Sequence, residues 1–191
     1  MPDSARFPSF FGSIPSGVGG VISTLRLMVS RSRQFLKPRS GDARAAQRLL
    51  EVRMLAQQLT ACLPEKDYWG EVESLHQFVR DSIRYTHDML SAETVQDPDY
   101  TLFVRSGDCD DKSILFCCLA NCIGYRTRFC AIGMPTCDDP RGEAFSHVSG
   151  QCLIEDFGWV NAECIPVDED GTKVQLGWFP DQATCWMFAH I

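Results

Sequence analysis

The spacing of apolar residues changes once along this chain, at Gly124. Upstream they recur every three or four positions, which is one helical face; downstream they alternate, which is one strand face. Helices first and strands afterwards restrict the chain to an α+β arrangement, because a parallel βαβ sheet needs the two interleaved. Residues 21–36 predict a short basic helix closed by Lys37-Pro38. Asp42 is a candidate N-cap for a helix over 43–62, with Ala46, Leu49, Leu50, Leu55 and Leu59 at helical spacing. A second helix is expected over 68–85, with Val72, Leu75, Phe78, Val79 and Ile83 on one face, and residues 86–105 read as a loop around Asp97-Pro98. A third helix starts near Cys109, buries Ile114, Leu115, Cys118, Leu119 and Cys122, and stops at Gly124. Strands follow over 126–133, 146–154 and 158–165, and Asp170-Gly171 is a hairpin-turn signal. No internal repeat is visible.

The formal charge of -7 conceals two opposite parts. Residues 1–60 carry nine Lys/Arg against three Asp/Glu, whereas 61–191 carry nine against twenty-two. The chain therefore divides into a basic N-terminal arm, residues 1–40, and a domain over 41–191. The arm is expected to meet something negative: an acidic protein partner, a membrane surface or the chain's own acidic body, with Phe7, Phe10 and Phe11 as side chains that dock on a neighbour. Nucleic acid is a weaker partner for the arm, through Arg26, Arg31, Arg33, Lys37 and Arg39. No apolar run approaches the roughly 18 residues of a membrane span, and the N-terminus lacks the compact apolar block of a signal peptide. A reducing, cytoplasmic place of synthesis is expected.

Ten cysteines in such a chain invite a metal or disulfide reading, yet no Cys-x-x-Cys occurs. Cys118 and Cys122 have no further ligands at fixed spacing and read as core; Cys164 and Cys185 are the pair whose bonding is left open. Asp168 to Gly171 lacks the full calcium-loop pattern and reads as an acidic hairpin. No cofactor or metal is expected. One cysteine differs in its surroundings. Cys109 lies in Ser106-Gly107-Asp108-Cys109-Asp110-Asp111-Lys112, in the first turn of a helix. Unpaired N–H groups and the dipole there favour a thiolate and can stabilise an oxyanion. Asp108, Asp110 and Asp111 oppose this, so a basic partner is needed. Among His76, His87, His147 and His190, His147 opens a strand, while His76 lies within a helix and His190 is beside the end of the chain. On the next strand Trp159, Asn161 and Glu163 share one face, so either Asn161 or Glu163 falls beside His147 to orient it. Tyr85, Trp159 and Trp178 read as core or pocket walls.

Gly107-Asp108-Cys109, then Gly124-Tyr125-Arg126-Thr127-Arg128, Phe145-Ser146-His147-Val148 and Trp159-Val160-Asn161-Ala162-Glu163 occur in that order. With Val79-Arg80-Asp81-Ser82-Ile83-Arg84-Tyr85 and Thr101-Leu102 upstream, residues 65–182 resemble the transglutaminase-like superfamily. The resemblance implies a papain-like cysteine fold, N-terminal helices on an antiparallel sheet, and a Cys109–His147 pair completed by Glu163 where the family has aspartate, or by Asn161. It also implies acyl transfer on a protein or peptide, by hydrolysis or by crosslinking. More narrowly, Gly107 to Ser113 and Gly177-Trp178-Phe179-Pro180 resemble stand-alone members encoded among structural genes of tailed bacteriophages. That likeness implies assembly into a virion through the arm, as an enzyme or as a scaffold.

Overall fold

The computed structural model describes residues 10–12, 18–87, 93–133, 145–166 and 171–191. The elements in chain order are β1 (Phe10–Gly12), α1 (Val18–Leu36), α2 (Ala43–Thr60), α3 (Tyr68–Ser82), β2 (Arg84–Tyr85), β3 (Glu93–Val95), α4 (Pro98–Val104), β4 (Ser106–Gly107), α5 (Cys109–Cys122), β5 (Arg126–Gly133), β6 (Phe145–Ile154), β7 (Gly158–Ala162) and β8 (Cys185–His190). The fold is α+β, with N-terminal helices packed on a four-stranded antiparallel sheet of order β7-β6-β5-β8.

Local signals set the helix ends. Asp42 accepts the Ala45 N–H at 2.9 Å and starts α2; Asp67 accepts the Gly70 N–H at 3.0 Å and starts α3. After α5 the chain turns at Gly124, whose φ of +104° suits a residue without Cβ. α5 is the hub, and Ile114, Leu115, Phe116 and Leu119 are fully buried. Each such side chain contributes about 1.5–3 kcal/mol. The helix lies so close to β6 that a Cβ on Gly150 would stand 2.7 Å from a Phe116 ring carbon. Met28 of α1, Val52 of α2 and Val72, Leu75 and Val79 of α3 complete the core, so the part of the basic segment that forms α1 packs into the domain.

Some of the basic half turns toward the acidic body. Arg31 meets Asp97 at 3.0 Å, Arg48 meets Asp97 and Asp99 at 2.7 and 2.6 Å, and Arg33 donates to the His190 carbonyl. Two acidic partners hold the Arg48 guanidinium well above its ordinary pKa, against the opposing effect of burial. The backbone of Phe10–Gly12 pairs antiparallel with β3 of the same chain. Phe7 and the turn at 168–170 lie outside the described residues, as does Cys137. Cys164 is a free thiol, as are Cys62, Cys109, Cys117, Cys118, Cys122, Cys130 and Cys152. Among the described residues no helix is long and apolar enough to cross a membrane.

Three expectations are corrected, and one strand is added to them. The loop expected over 86–105 contains α4: Asp97 is extended and Pro98 occupies the helix start, where its fixed φ is pre-organised and its missing N–H costs nothing. The second helix stops at Ser82, because Arg84 and Tyr85 leave it to pair in parallel with Ser106 and Gly107. The strand expected over 158–165 ends at Ala162. β8 was not anticipated, since Cys185-Trp186-Met187-Phe188-Ala189 shows no polar alternation; it is an edge strand with its outer aromatic residues exposed.

Candidate active site

Cys109 is fixed from both ends of a short segment. Gly107 pairs with Tyr85, and the Thr86 N–H donates to the Gly107 carbonyl at 3.1 Å. Asp108 then caps α5: its carboxylate accepts the N–H groups of Asp110 and Asp111 at 3.0 and 3.2 Å, while Asp111 accepts the Asp108 N–H. Asp111 also accepts the Gln96 N–H at 2.7 Å. A Cβ on residue 107 would come within 2.6 Å of Asp111 Cβ, so this reciprocal cap needs glycine there. Asp108 takes the Asp110, Asp111 and Lys112 amides, and the Cys109 N–H forms no hydrogen bond among the described residues. Lys112 is 1% exposed, and its ammonium donates to the Ile83 and Arg80 carbonyls at 2.8 and 3.4 Å, anchoring α5 to the end of α3.

The histidine comes from β6. Ile132 of β5 faces His147 while Gly133 faces Phe145, so Ser146 is skipped and β6 bulges immediately before His147. Such a bulge re-aims the side chain beside it. β7 ends opposite Gly150, which leaves Val148 beyond its end. α5 fills that gap: Ser113 Oγ donates to the Val148 carbonyl at 3.2 Å, and the Cys109 sulfur is in hydrogen-bond contact with the Val148 backbone. The cysteine therefore lies beside the residue that follows His147.

Glu163 joins them. His147 Nε2 and Glu163 Oε2 are 2.7 Å apart, with side chains 9% and 2% exposed. Glu163 Oε1 accepts the Ile165 N–H at 3.2 Å, and the Glu163 carbonyl accepts from His76 Nε2 at 2.6 Å. Asn161 is committed elsewhere: it accepts from Ser149 Oγ at 2.7 Å and donates to the Trp178 carbonyl at 2.9 Å. The geometry thus brings Glu163, and not Asn161, to His147. The longer glutamate reaches from a position past the end of β7.

Burial lowers the His147 pKa, but the charge and hydrogen bond of Glu163, with Asp110 and Asp108, raise it above the ordinary imidazole value overall. Cys109 goes the other way from the helix-start expectation. Burial, then Asp110 and Asp108, push its thiol well above the usual range, and the Val148 bond offsets only part of this. Its Sγ–H points to Asp110 Oδ1 at 3.6 Å. Cys109 therefore rests as a thiol. Tyr85 stands near Cys109, Asp108 and Glu163; burial and those charges raise its phenol, so it stays protonated.

The sequence reading did not single out His76 or Lys112. A signal for His76 existed, since it shares the 72, 75, 79 stripe that faces the core. Among the described residues no group of three or more His, Cys, Asp or Glu is arranged to hold a metal ion.

Residues 53–164 match the transglutaminase-like superfamily. Among solved structures, a "putative protease" from Parabacteroides distasonis is similar over 83% of this chain and 31% of its own, with a TM-score of 0.54 at 16% identity. A "putative cysteine protease" from Cytophaga hutchinsonii is similar over 83% of this chain and 55% of its own, with a TM-score of 0.47 at 14% identity. The chain thus spans about a third and about half of these two structures. No curated protein sequence matches.

Proposed function

The chain belongs to the transglutaminase-like superfamily, and from that premise we propose that it is a thiol-dependent acyl-transfer enzyme acting on a peptide or side-chain amide. The observation that carries the reading is the buried His147–Glu163 pair at 2.7 Å, next to a cysteine held against Val148. Glu163 engages Nε2 and so keeps the ring proton there, leaving Nδ1 as the acceptor for the thiol proton. Sulfur attacks the amide carbonyl as that proton moves to His147. The carbonyl oxygen becomes an oxyanion, for which the Cys109 N–H at the start of α5 is the available donor. On collapse the C–N bond breaks, the amine departs with the proton from His147, and a thioester on Cys109 is left. Water as acceptor releases an acid; an amine as acceptor makes a crosslink, and the same three residues serve both.

A thiol that rests protonated makes His147 the source of activation. The test is acylation by an activated ester such as p-nitrophenyl acetate, followed by intact mass and peptide mapping. The acyl group is expected on Cys109, and His147→Ala should slow its arrival by about 10²–10⁴-fold. Equal labelling of the exposed Cys62, or a rate unchanged by His147→Ala, would refute the reading. A virion-scaffold role rests on two sequence strings alone, and no feature of the described residues favours it.

A further inference from the structure

His76 is wholly buried on α3, in line with the core residues Val72, Leu75 and Val79. An apolar side chain would satisfy that stripe at less cost, for the imidazole leaves Nδ1 buried without a hydrogen-bond partner among the described residues. Its other nitrogen explains its presence. Nε2 lies 2.6 Å from the Glu163 carbonyl. A carbonyl only accepts, so Nε2 carries the proton and Nδ1 is the bare nitrogen. Burial lowers the His76 pKa and Arg80 adds to that, against opposing effects of the Glu163 bond and of Glu163 and Asp81; the ring is accordingly neutral.

Glu163 needs such a hold. It follows the last residue of β7 and so lies outside the ladder that fixes Ala162. Its carboxylate is shared between the Ile165 N–H and His147. Without a tie to the main chain, the only local restraint on the carboxylate among the described residues comes from Ile165, two positions along the same loop. α3 supplies the missing tie, and it is the helix to which Lys112 anchors α5. We propose that His76 is a positioning residue: by donating to the Glu163 carbonyl from α3, it sets the carboxylate that orients His147 at a fixed distance from the Cys109 helix. This rests on His147 being the base described above.

The test uses the full chain, isotope-labelled, with His76→Phe and His76→Gln beside it. Phenylalanine keeps a ring but no donor; glutamine keeps an N–H donor and loses the ring. In the wild type, nitrogen shifts should report a neutral His76 protonated at Nε2 across neutral pH. Protonation at Nδ1 instead would overturn the proposal without any variant. In His76→Phe, the titration midpoint of His147 should fall toward that of a free imidazole, and Cys109 acylation should slow by up to about a hundredfold, the scale of a misplaced catalytic group. His76→Gln should recover both, even if it melts at a lower temperature than His76→Phe. A residue that only fills the core gives the reverse order: melting temperature follows apolar volume and the His147 midpoint does not move. A folded His76→Phe with a wild-type midpoint and rate, or a His76→Gln no better than His76→Phe, overturns the proposal. Should Cys109 of the wild type resist acylation altogether, the functional reading fails while the His147 titration still judges His76.

Discussion

Replacing Glu163 by glutamine changes one oxygen to an NH₂ group and little else in volume. Oε1 already accepts the Ile165 N–H, so the amide oxygen stays on that side and the NH₂ faces His147 Nε2. A donor there obliges Nε2 to accept, and the ring proton moves to Nδ1, the nitrogen that must receive the thiol proton. The pair also loses a charge. A hydrogen bond to a charged group is worth about 1.5–3 kcal/mol, and about 1.4 kcal/mol corresponds to one pKa unit. With side chains 9% and 2% exposed, solvent screens the contact little. The His147 midpoint should drop by about one to two units. Burial, the largest single influence, is then opposed only by Asp110 and Asp108, so the midpoint moves down toward the ordinary imidazole value. Two measurements check this: imidazole nitrogen shifts, which report tautomer and titration together, and the pH profile of Cys109 acylation. In the wild type the rate should climb through the raised His147 midpoint. In Glu163→Gln it should be lower by about 10²–10⁴-fold, the usual contribution of a general base, with the climb moved to lower pH. A folded Glu163→Gln that keeps the wild-type midpoint, tautomer and rate would refute the assignment of Glu163 as the orienting group.

Three further outcomes follow from the packing. His76 has a folded pKa below its unfolded value, so the unfolded chain binds its proton more readily; stability is complete above about pH 6.5 and is lost as pH falls below it. Acidification from neutral pH should therefore lower the melting temperature of the wild type more than that of His76→Gln, and parallel curves would contradict this. Gly150→Ala places a Cβ 2.7 Å from the Phe116 ring and should cost about 1–3 kcal/mol, seen as a lower denaturant midpoint with unchanged slope; an unaltered midpoint would show that α5 can retreat from β6. Lys112→Met keeps the length of the buried chain but strands the Ile83 and Arg80 carbonyls, for an expected loss of about 1–3 kcal/mol; equal or greater stability would mean that desolvating the ammonium outweighs its two bonds.

What the sequence disclosed was what neighbouring residues decide among themselves. Asp42 caps a helix because its carboxylate reaches an N–H three residues on, and Gly124 ends one because it alone tolerates the turn. Strand parity put His147 and Glu163 on one face, and the fold brought them together. Parity could not choose between Asn161 and Glu163, since residues two apart share a face. The choice fell to the end of β7, where the chain leaves the ladder and carries Glu163 back toward the bulge before His147. The charge balance at Cys109 was similarly half legible. The helix start and the three aspartates have opposite signs in any reading, but burial joins the aspartates only once β6 and α5 close together, and it decides the result.

The residues that sequence reasoning passed over have a common feature. His76 donates to the carbonyl of Glu163, 87 positions away, and Lys112 donates to the carbonyls of Arg80 and Ile83. A carboxylate partner leaves a mark in the sequence, because a buried cation can be matched to a residue type. A backbone carbonyl leaves none, because every residue has one. A polar residue on an apolar helical stripe is then the only trace. His76 at the buried face of α3, and Lys112 in a helix buried along most of its length, are both such residues. They tie the same helix to the two sides of the site, His76 to the main chain of Glu163 and Lys112 to the helix that begins at Cys109. Under the positioning proposed for His76, the separation between Cys109 and Glu163 is governed by α3, which contributes no group to the proposed chemistry.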